Sequence, residues 1–240
     1  MASVCRRSIL ALALVLVMAG CIGPFAGDDI DDEALDAEAN YTWDHPADAY
    51  IQLSVGSYTA VYELDGQDSF ELSRMGWGTR QAVDVTAVRY RFPNGTELTG
   101  SDLDIDQSSG ETTIDVPDGN GTLAFTGPAG SKEAEIPGLT TGTYVVELPG
   151  GHRVTNYFLS DVQPSADNVT LVDDRHVLQW DDHGGDLFVR YHLWRDHYLL
   201  YGAVLILTGI AVGGTLYYRR KIRRTIERRQ ELGLDVEDDE

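Results

Sequence analysis

The chain has 240 residues, among them 39 acidic and 18 basic side chains, which gives a formal net charge of −21. This length accommodates one domain of ordinary size together with terminal segments. The negative charge disfavours a nucleic-acid partner, because lysine and arginine are the residues that neutralise a phosphate backbone. We therefore expect no nucleic acid among its partners.

An export signal is predicted over residues 1–20. Arg6 and Arg7 precede an apolar run that is shorter than the roughly 20 residues needed to span a bilayer. The arginine pair is similar to a twin-arginine export signal. Residues 18–21, Met-Ala-Gly-Cys, are similar to a lipobox, which predicts a lipid on Cys21. An ordinary signal peptide cleaved nearby, or an uncleaved short anchor, is the alternative.

Residues 21–42 follow as a predicted acidic, flexible tether. Charged and small side chains dominate this segment, so it cannot bury enough apolar surface to become ordered. The two cysteines of the chain, Cys5 and Cys21, both lie at or before its start. The rest of the exported part is therefore predicted to fold without disulfides.

Residues 43–191 show the two-residue alternation of β-strands, interrupted by glycine and proline turns. Ile51 and Leu53, for example, flank a glutamine, and the parity of the pattern changes near Thr86, which predicts a bulge or bend. Many short strands favour an all-β ectodomain, specifically an antiparallel sandwich of the immunoglobulin-like kind. A split near Ser101–Glu111 into two small β-domains is the alternative.

One transmembrane α-helix at the C-terminal side completes the predicted fold. Residues 198–218 carry no charge and extend about 31 Å as a helix, which matches the hydrocarbon core of a bilayer. Residues 192–197 are the juxtamembrane segment and 219–240 the tail. Positive residues stay inside, so we predict a cytoplasmic tail and an ectodomain outside the cell membrane. The basic residues that set this topology are Arg219, Arg220, Lys221, Arg223 and Arg224.

Gly209 and Gly213 form a small-xxx-small pair within this span. Such pairs let two helices approach closely and associate. They predict a homodimer formed through the helix; the alternative is that glycine is simply common in membrane helices.

Several other patterns are candidate sites. The turn Asp181–Asp186 crowds carboxylates and an imidazole, as a metal site does, or is a solvated hairpin turn. His192 and His197 are candidates for pH sensing, or are polar anchors beside the membrane. Trp77 is a candidate contact residue in a glycine-flanked loop, or folds onto the core. Sequons for N-glycosylation lie at Asn40, Asn94, Asn120 and Asn168.

The sequence contains none of the common enzyme signatures. A nucleophile elbow, a zinc-protease helix motif, a phosphate loop and a dinucleotide fingerprint are all missing. We therefore predict a protein that is not an enzyme, with no catalytic residue, no cofactor and no metal. Paired carboxylates remain the one open route to catalysis.

The ends of the chain carry a family resemblance. The pair Arg6-Arg7, Cys21, the acidic β-region and the tail segment Arg228–Asp235 resemble those of an uncharacterised family of haloarchaeal cell-surface lipoproteins with a C-terminal span. The resemblance implies a place at the cell surface and carries over no activity. Scarce lysine beside abundant carboxylate is similarly typical of proteins that work in high salt; a cation-binding surface in ordinary salt is the alternative.

Three functions are compatible with these patterns. The first is a non-enzymatic, membrane-anchored cell-surface protein whose β ectodomain contacts other envelope or membrane proteins. The second is a receptor-like ectodomain that binds a ligand and relays this to the cytoplasmic tail. The third is a surface hydrolase that uses paired carboxylates.

Overall fold

The computed structural model describes residues 31–76, 78–156 and 158–231. The predicted export signal with Arg6, Arg7 and Cys21, the first part of the predicted tether, Trp77 and the acidic end of the tail lie outside the described residues.

The described residues form seventeen strands, two α-helices and one 3-10 turn at Gly100–Asp102. The helices are α1 (Asp32–Leu35) and α2 (Asp196–Glu231). The strands are β1 (Ala49–Leu53), β2 (Ser57–Glu63), β3 (Ser69–Gly76), β4 (Thr79–Ala82), β5 (Thr86–Arg91), β6 (Glu97–Thr99), β7 (Asp104–Gln107), β8 (Thr112–Asp115), β9 (Thr122–Pro128), β10 (Glu133–Ile136), β11 (Gly142–Glu147), β12 (His152–Arg153), β13 (Asp161–Gln163), β14 (Asn168–Val172), β15 (Arg175–His183), β16 (Leu187–Arg190) and β17 (His192–Leu193).

An eight-stranded sheet forms the largest layer, in the order β14-β15-β11-β1-β2-β9-β5-β6. Smaller sheets have the orders β4-β3-β8-β7, β10-β16-β13 and β12-β17. All neighbours in the large sheet are antiparallel except β1 and β11, which pair in parallel with Ile51 opposite Val146. The predicted all-β ectodomain followed by one C-terminal helix is thus confirmed in this coarser form. The immunoglobulin-like sandwich is not confirmed, and one strand pair departs from the predicted antiparallel order.

One continuous hydrophobic core joins the large sheet to the smaller ones. It contains Phe125 of β9 in the large sheet together with Phe70 of β3, Ile114 of β8 and Val189 of β16 from the smaller sheets. Strand β1 shows why the sequence pattern predicts this: its side chains alternate between buried and half-buried, since successive residues of a strand point to opposite faces. Residues on both sides of the predicted split near Ser101–Glu111 share this core.

The bend predicted near Thr86 is present. The register between β5 and β9 shifts between Thr86 and Arg89, and Ala87 has a φ of 53°. A left-handed residue inside a strand is typical of a bulge, which re-aims the residues that follow it.

Residues 31–42 lie against the ectodomain, where the sequence predicts a flexible tether. The guanidinium of Arg89 donates to the carbonyl oxygens of Leu35, Asp36 and Ala37 at 3.3, 2.7 and 2.9 Å. The hydroxyl of Tyr41 donates to the carbonyl of Ala87 at 2.5 Å. Composition cannot reveal this docking, because the partners of the segment are distant in the chain: Arg89 binds its backbone, and the N–H and hydroxyl of Ser101 donate to the carboxylate of Asp36 at 3.0 and 2.7 Å.

Arg89→Met is expected to release α1 and to lower the free energy of unfolding by about 1–2 kcal/mol, since charge-assisted hydrogen bonds are lost. Hydrogen exchange of residues 31–41 should become faster. Arg80→Met is the matched control, because Arg80 is exposed and reaches Glu111 only at 3.7 Å. Unchanged exchange in the Arg89 variant would contradict the docking.

Helix α2 is long and apolar enough to cross a membrane between Asp196 and Arg228, and none of its apolar stretch is buried in the protein. It contains the predicted span, residues 198–218. The hydroxyls of Thr208 and Thr215 each donate to the carbonyl four residues earlier at 2.8 Å. These bonds satisfy the two hydroxyls within the helix, as a lipid environment requires.

Candidate functional site

The ectodomain meets helix α2 through a compact set of contacts, which we call the joint (residues 150–153, 191–198 and Lys132). Strand β17 leads into the helix and pairs with β12, so that Arg153 lies opposite His192. The backbone N–H of Trp194 donates to the carbonyl of Gly151 at 3.3 Å. The pairing of β17 with β12 and the hydrogen bond from Trp194 to Gly151 therefore hold the residues just before the helix against the β-structure.

A carboxylate at the start of α2 fixes the joint further. Asp196 Oδ2 accepts from Lys132 Nζ at 2.7 Å and from the backbone N–H of Leu193 at 3.1 Å. An acidic group in the first turn also interacts favourably with the helix dipole. Since Lys132 is about half exposed, the ion pair contributes at most about 1 kcal/mol, and its main effect is to orient the helix.

Aromatic side chains continue from the joint into the helix. The guanidinium of Arg153 lies 4.2 Å from the ring centre of Trp194, a cation–π distance. Trp194 in turn packs edge-on against Tyr198, with 5.8 Å between ring centres. Such aromatic residues are enriched where a membrane meets water, so the joint has the composition of a membrane interface.

His192 is the most unusual residue of the joint. Its side chain is 1% exposed, yet neither ring nitrogen has a hydrogen-bond partner. The ring of His197 lies edge-on to it, with 4.6 Å between ring centres. Burial lowers the pKa of His192 below its ordinary value, and the neighbouring His197 lowers it further, while Asp196 acts in the opposite direction.

The pKa of His192 predicts a loss of stability in acid. Because the folded state binds this proton less readily than the unfolded state, stability should fall as pH drops through the ordinary histidine pKa of about 6.5. The variant His192→Phe removes the titration and should lose less stability between pH 8 and pH 5. Thermal unfolding followed by tryptophan fluorescence measures both; identical pH profiles would contradict the assignment.

A cleft of about 460 Å³ is the second candidate site. It lies between the β3–β4 hairpin, which contributes Arg74 and Arg80, and the β10–β16 side, which contributes Glu135 and Asp186. Nε of Arg74 is shielded from water without a hydrogen-bond partner, and Arg74 makes no ion pair within the described residues. A guanidinium in this position is suited to a carboxylate or phosphate of a ligand.

Polar atoms of the acidic turn Asp181–Asp186 form hydrogen bonds within the protein. Asp186 Oδ1 accepts from the N–H of Gly138 at 3.1 Å, and Nε2 of His183 lies 2.8 Å from the carbonyl oxygen of Gly185. Within the described ranges, no cluster of three or more histidine, cysteine or acidic side chains is arranged to hold a metal.

The other predicted site residues lie apart from the joint and the cleft. The sequon residues Asn40, Asn94, Asn120 and Asn168 are all exposed, which glycosylation requires. Gly209 and Gly213 face open space, with no atom within 4 Å of an added Cβ. The predicted topology residues Arg219, Arg220, Lys221, Arg223 and Arg224 lie exposed on the last part of α2.

Sequence reasoning does not identify several residues of the joint and the cleft. Lys132, just before β10, and Arg153 of β12 reach the start of α2 from distant parts of the chain, and Arg74 of β3 lines the cleft. A weak signal exists for Lys132, which is the only lysine before the membrane helix. Nothing in the local pattern singles out Arg74 or Arg153.

Comparison with known proteins gives a family and, among solved structures, weak likeness. The model of DUF5803, a family of unknown function, matches residues 45–237. No curated protein matches the chain. Among solved structures, the chain is similar to an M1 zinc metallopeptidase from Deinococcus radiodurans with 11% identity and a TM-score of 0.32, over 60% of this chain and 41% of the peptidase. A likeness at this level carries no argument, and the chain spans less than half of that protein's length.

Proposed function

This chain belongs to DUF5803, a family of unknown function, and we propose that it is a non-enzymatic membrane-anchored protein of the cell surface. In this proposal its β ectodomain, a sandwich of the immunoglobulin-like kind, contacts other envelope or membrane proteins. The proposal extends to the haloarchaeal lipoprotein character suggested by the ends of the chain, with a lipid on Cys21 and a cytoplasmic tail.

The joint is the observation that carries the proposal. Backbone pairing of β12 with β17, the Lys132–Asp196 ion pair and the stacked Arg153 and Trp194 all hold the ectodomain to the first turn of an apolar helix. A helix that serves only as an anchor, or as a flexible stalk, does not need such contacts with the ectodomain. A fixed joint presents a defined face of the ectodomain to neighbours in the membrane plane, which suits a contact protein.

The two proposed anchors can be separated by variants. Cys21→Ala alone and truncation after Arg195 alone should each leave the protein in the membrane fraction, because the other anchor remains. The combination should release the ectodomain into the soluble fraction. Release by truncation alone would overturn the lipid anchor, and extraction of the full chain by alkaline carbonate would overturn the membrane span.

The proposed partner is tested by crosslinking in intact cells followed by capture of the full chain. We expect an envelope or membrane protein whose recovery depends on the ectodomain and persists when the tail after Lys221 is exchanged for a neutral sequence. Recovery that does not depend on the ectodomain would overturn the contact function.

A receptor-like function is the second candidate. It is favoured by Arg74, whose Nε is shielded from water in the cleft without a hydrogen-bond partner in the part of the chain that the structure describes. In this case a ligand with an anionic group occupies the cleft and the joint transmits its binding to α2. The tail exchange after Lys221 distinguishes the two functions, since a relay should lose its phenotype while an anchor keeps it. Retention of the phenotype would exclude the relay.

A further inference from the structure

Exposed apolar side chains of the ectodomain concentrate at the end that adjoins α2, which we call the base. Phe158 is 83% exposed, Leu171 58%, Val172 53% and Trp194 49%. Single exposed apolar residues are ordinary on a soluble surface, but a group at one end marks an interaction surface.

Hydrogen bonds place these side chains around the start of the helix. Gly151 accepts from Trp194 with its carbonyl and donates to the carbonyl of Asp174, at 3.3 and 3.4 Å. Asp174 lies at the tip of the β14–β15 hairpin, and β14 ends with Leu171 and Val172 just before this tip. The hairpin tip therefore lies beside the residue that leads into α2.

The segment that carries Phe158 returns to the same end. It connects β12, which pairs with β17, to β13, whose first residue Asp161 lies opposite Arg190. Both flanking strands thus adjoin the last strands before the helix. Three separate elements, namely this segment, the hairpin tip and the residues before α2, bring apolar side chains to the base.

The opposite end of the ectodomain has a different composition. Its turns comprise residues 64–68, 92–96, 117–121, 137–142 and 184–186, and within the described part of the chain none of them contains an exposed large apolar side chain. Asp65, Asp68 and Asp118 lie there instead. The described turns of this end thus lack the exposed apolar side chains that the base carries.

Basic residues concentrate at the base as well. Between the signal and the membrane helix the sequence has nine basic residues, and the five at the base are Lys132, Arg153, Arg175, Arg190 and Arg195. Arg175 lies 3.0 Å from the carboxylate of Glu147, and Arg190 lies 3.6 Å from that of Asp161. The two arginine side chains remain 39% and 48% exposed. Asp173 and Asp174 lie at the same end, at the tip of the β14–β15 hairpin. The partly exposed basic side chains beside them are suited to the phosphates of lipid headgroups.

We propose that the base lies in the headgroup layer of the same bilayer that α2 spans, with Phe158, Leu171 and Val172 at the boundary of the acyl chains. This inference rests on the membrane span of the proposed function. The bilayer is the occupant that the structure favours, because these side chains lie at the same end as Trp194 and Tyr198, which are 49% and 65% exposed at the start of the helix. Apolar insertion combined with basic contacts is the usual physics of interfacial binding.

The test uses the full chain in sealed vesicles of phosphatidylglycerol and phosphatidylcholine, with a carbene-generating photolabel dissolved in the lipid. Label should appear in α2, in residues 154–160 and in residues 169–174, and not in residues 92–96 or 138–142. Pure phosphatidylcholine vesicles should label the base less strongly, because the phosphatidylcholine headgroup is zwitterionic and the bilayer surface then carries no net negative charge.

Variants make the result specific. The double variant Phe158→Ser, Leu171→Thr should show a several-fold loss of label at the base, with unchanged label in α2. Thr141→Ser, at the exposed opposite end, is the control and should change neither. Thermal unfolding in detergent confirms that each variant is folded, since both replaced side chains at the base are exposed.

The outcomes separate the two proposals. Label in α2 without label at the base overturns the interfacial placement and leaves the membrane span intact. Absence of label from α2 overturns the span itself. Protection of the base from hydrogen exchange that increases with the protein-to-lipid ratio identifies a second copy of the chain as the occupant and also overturns the placement.

Discussion

Phe125→Ala should lower the free energy of unfolding by about 3–5 kcal/mol. Phe125 is fully buried in β9, its ring stacks on Tyr62 with 5.9 Å between centres and meets Tyr58 edge-on at 6.2 Å. Truncation leaves a cavity between the large sheet and the smaller sheets, which the surrounding aromatic rings cannot fill without leaving their rotamers. Urea unfolding of the full chain in detergent, at constant salt, measures the loss.

Val55→Ala is the control for this truncation. Val55 lies in the β1–β2 turn and is 67% exposed, so its replacement should change stability by less than about 0.5 kcal/mol. Equal effects of the two variants would mean that the shared core does not hold the sheets together.

Gly138→Ala should destabilise the ectodomain by about 3 kcal/mol. A Cβ at this position would lie 2.0 Å from the carbonyl oxygen of Gly185 and 2.2 Å from its carbonyl carbon. These are backbone atoms, so relief requires that the turn between β15 and β16 move. The same movement would stretch the hydrogen bond from Gly138 to Asp186.

Gly150→Ala provides the matched comparison, since no atom lies within 4 Å of an added Cβ there and its φ is not in the left-handed region. Its stability should stay within about 1 kcal/mol of the parent or rise slightly, because alanine restricts the unfolded chain. A Gly138 variant as stable as this control would show that the two turns are not in close contact.

The strands and the membrane helix can be predicted from the sequence because the patterns that indicate them are local. The alternation around Ile51 and Leu53 reports which face of β1 is buried, and the parity change at Thr86 reports the bulge. As a helix, the uncharged residues 198–218 are as long as the hydrocarbon core of a bilayer is thick. Each pattern depends on neighbours in the chain, so no knowledge of strand pairing is needed.

The docking of residues 31–42 is not accessible in this way. Their composition is that of a disordered segment, and their order comes from distant residues. Arg89 binds three backbone carbonyls of the segment, and Ser101 donates to the carboxylate of Asp36. The joint is similar, since Lys132 and Asp196 are 64 residues apart. Neither local composition nor periodicity contains the identity of such a distant partner.

By itself, the sequence determined that this protein has a β-rich ectodomain and one C-terminal helix able to span a membrane. A strand shows in its own residues which side chains it buries, and a membrane helix shows in its own length that it can cross a bilayer. Neither signal depends on residues elsewhere in the chain. Only the tertiary structure decided that β1 pairs in parallel with β11, that Arg74 makes no ion pair within the described residues and that exposed apolar side chains gather at the base. These features arise from competition among distant segments for the same core and the same hydrogen bonds.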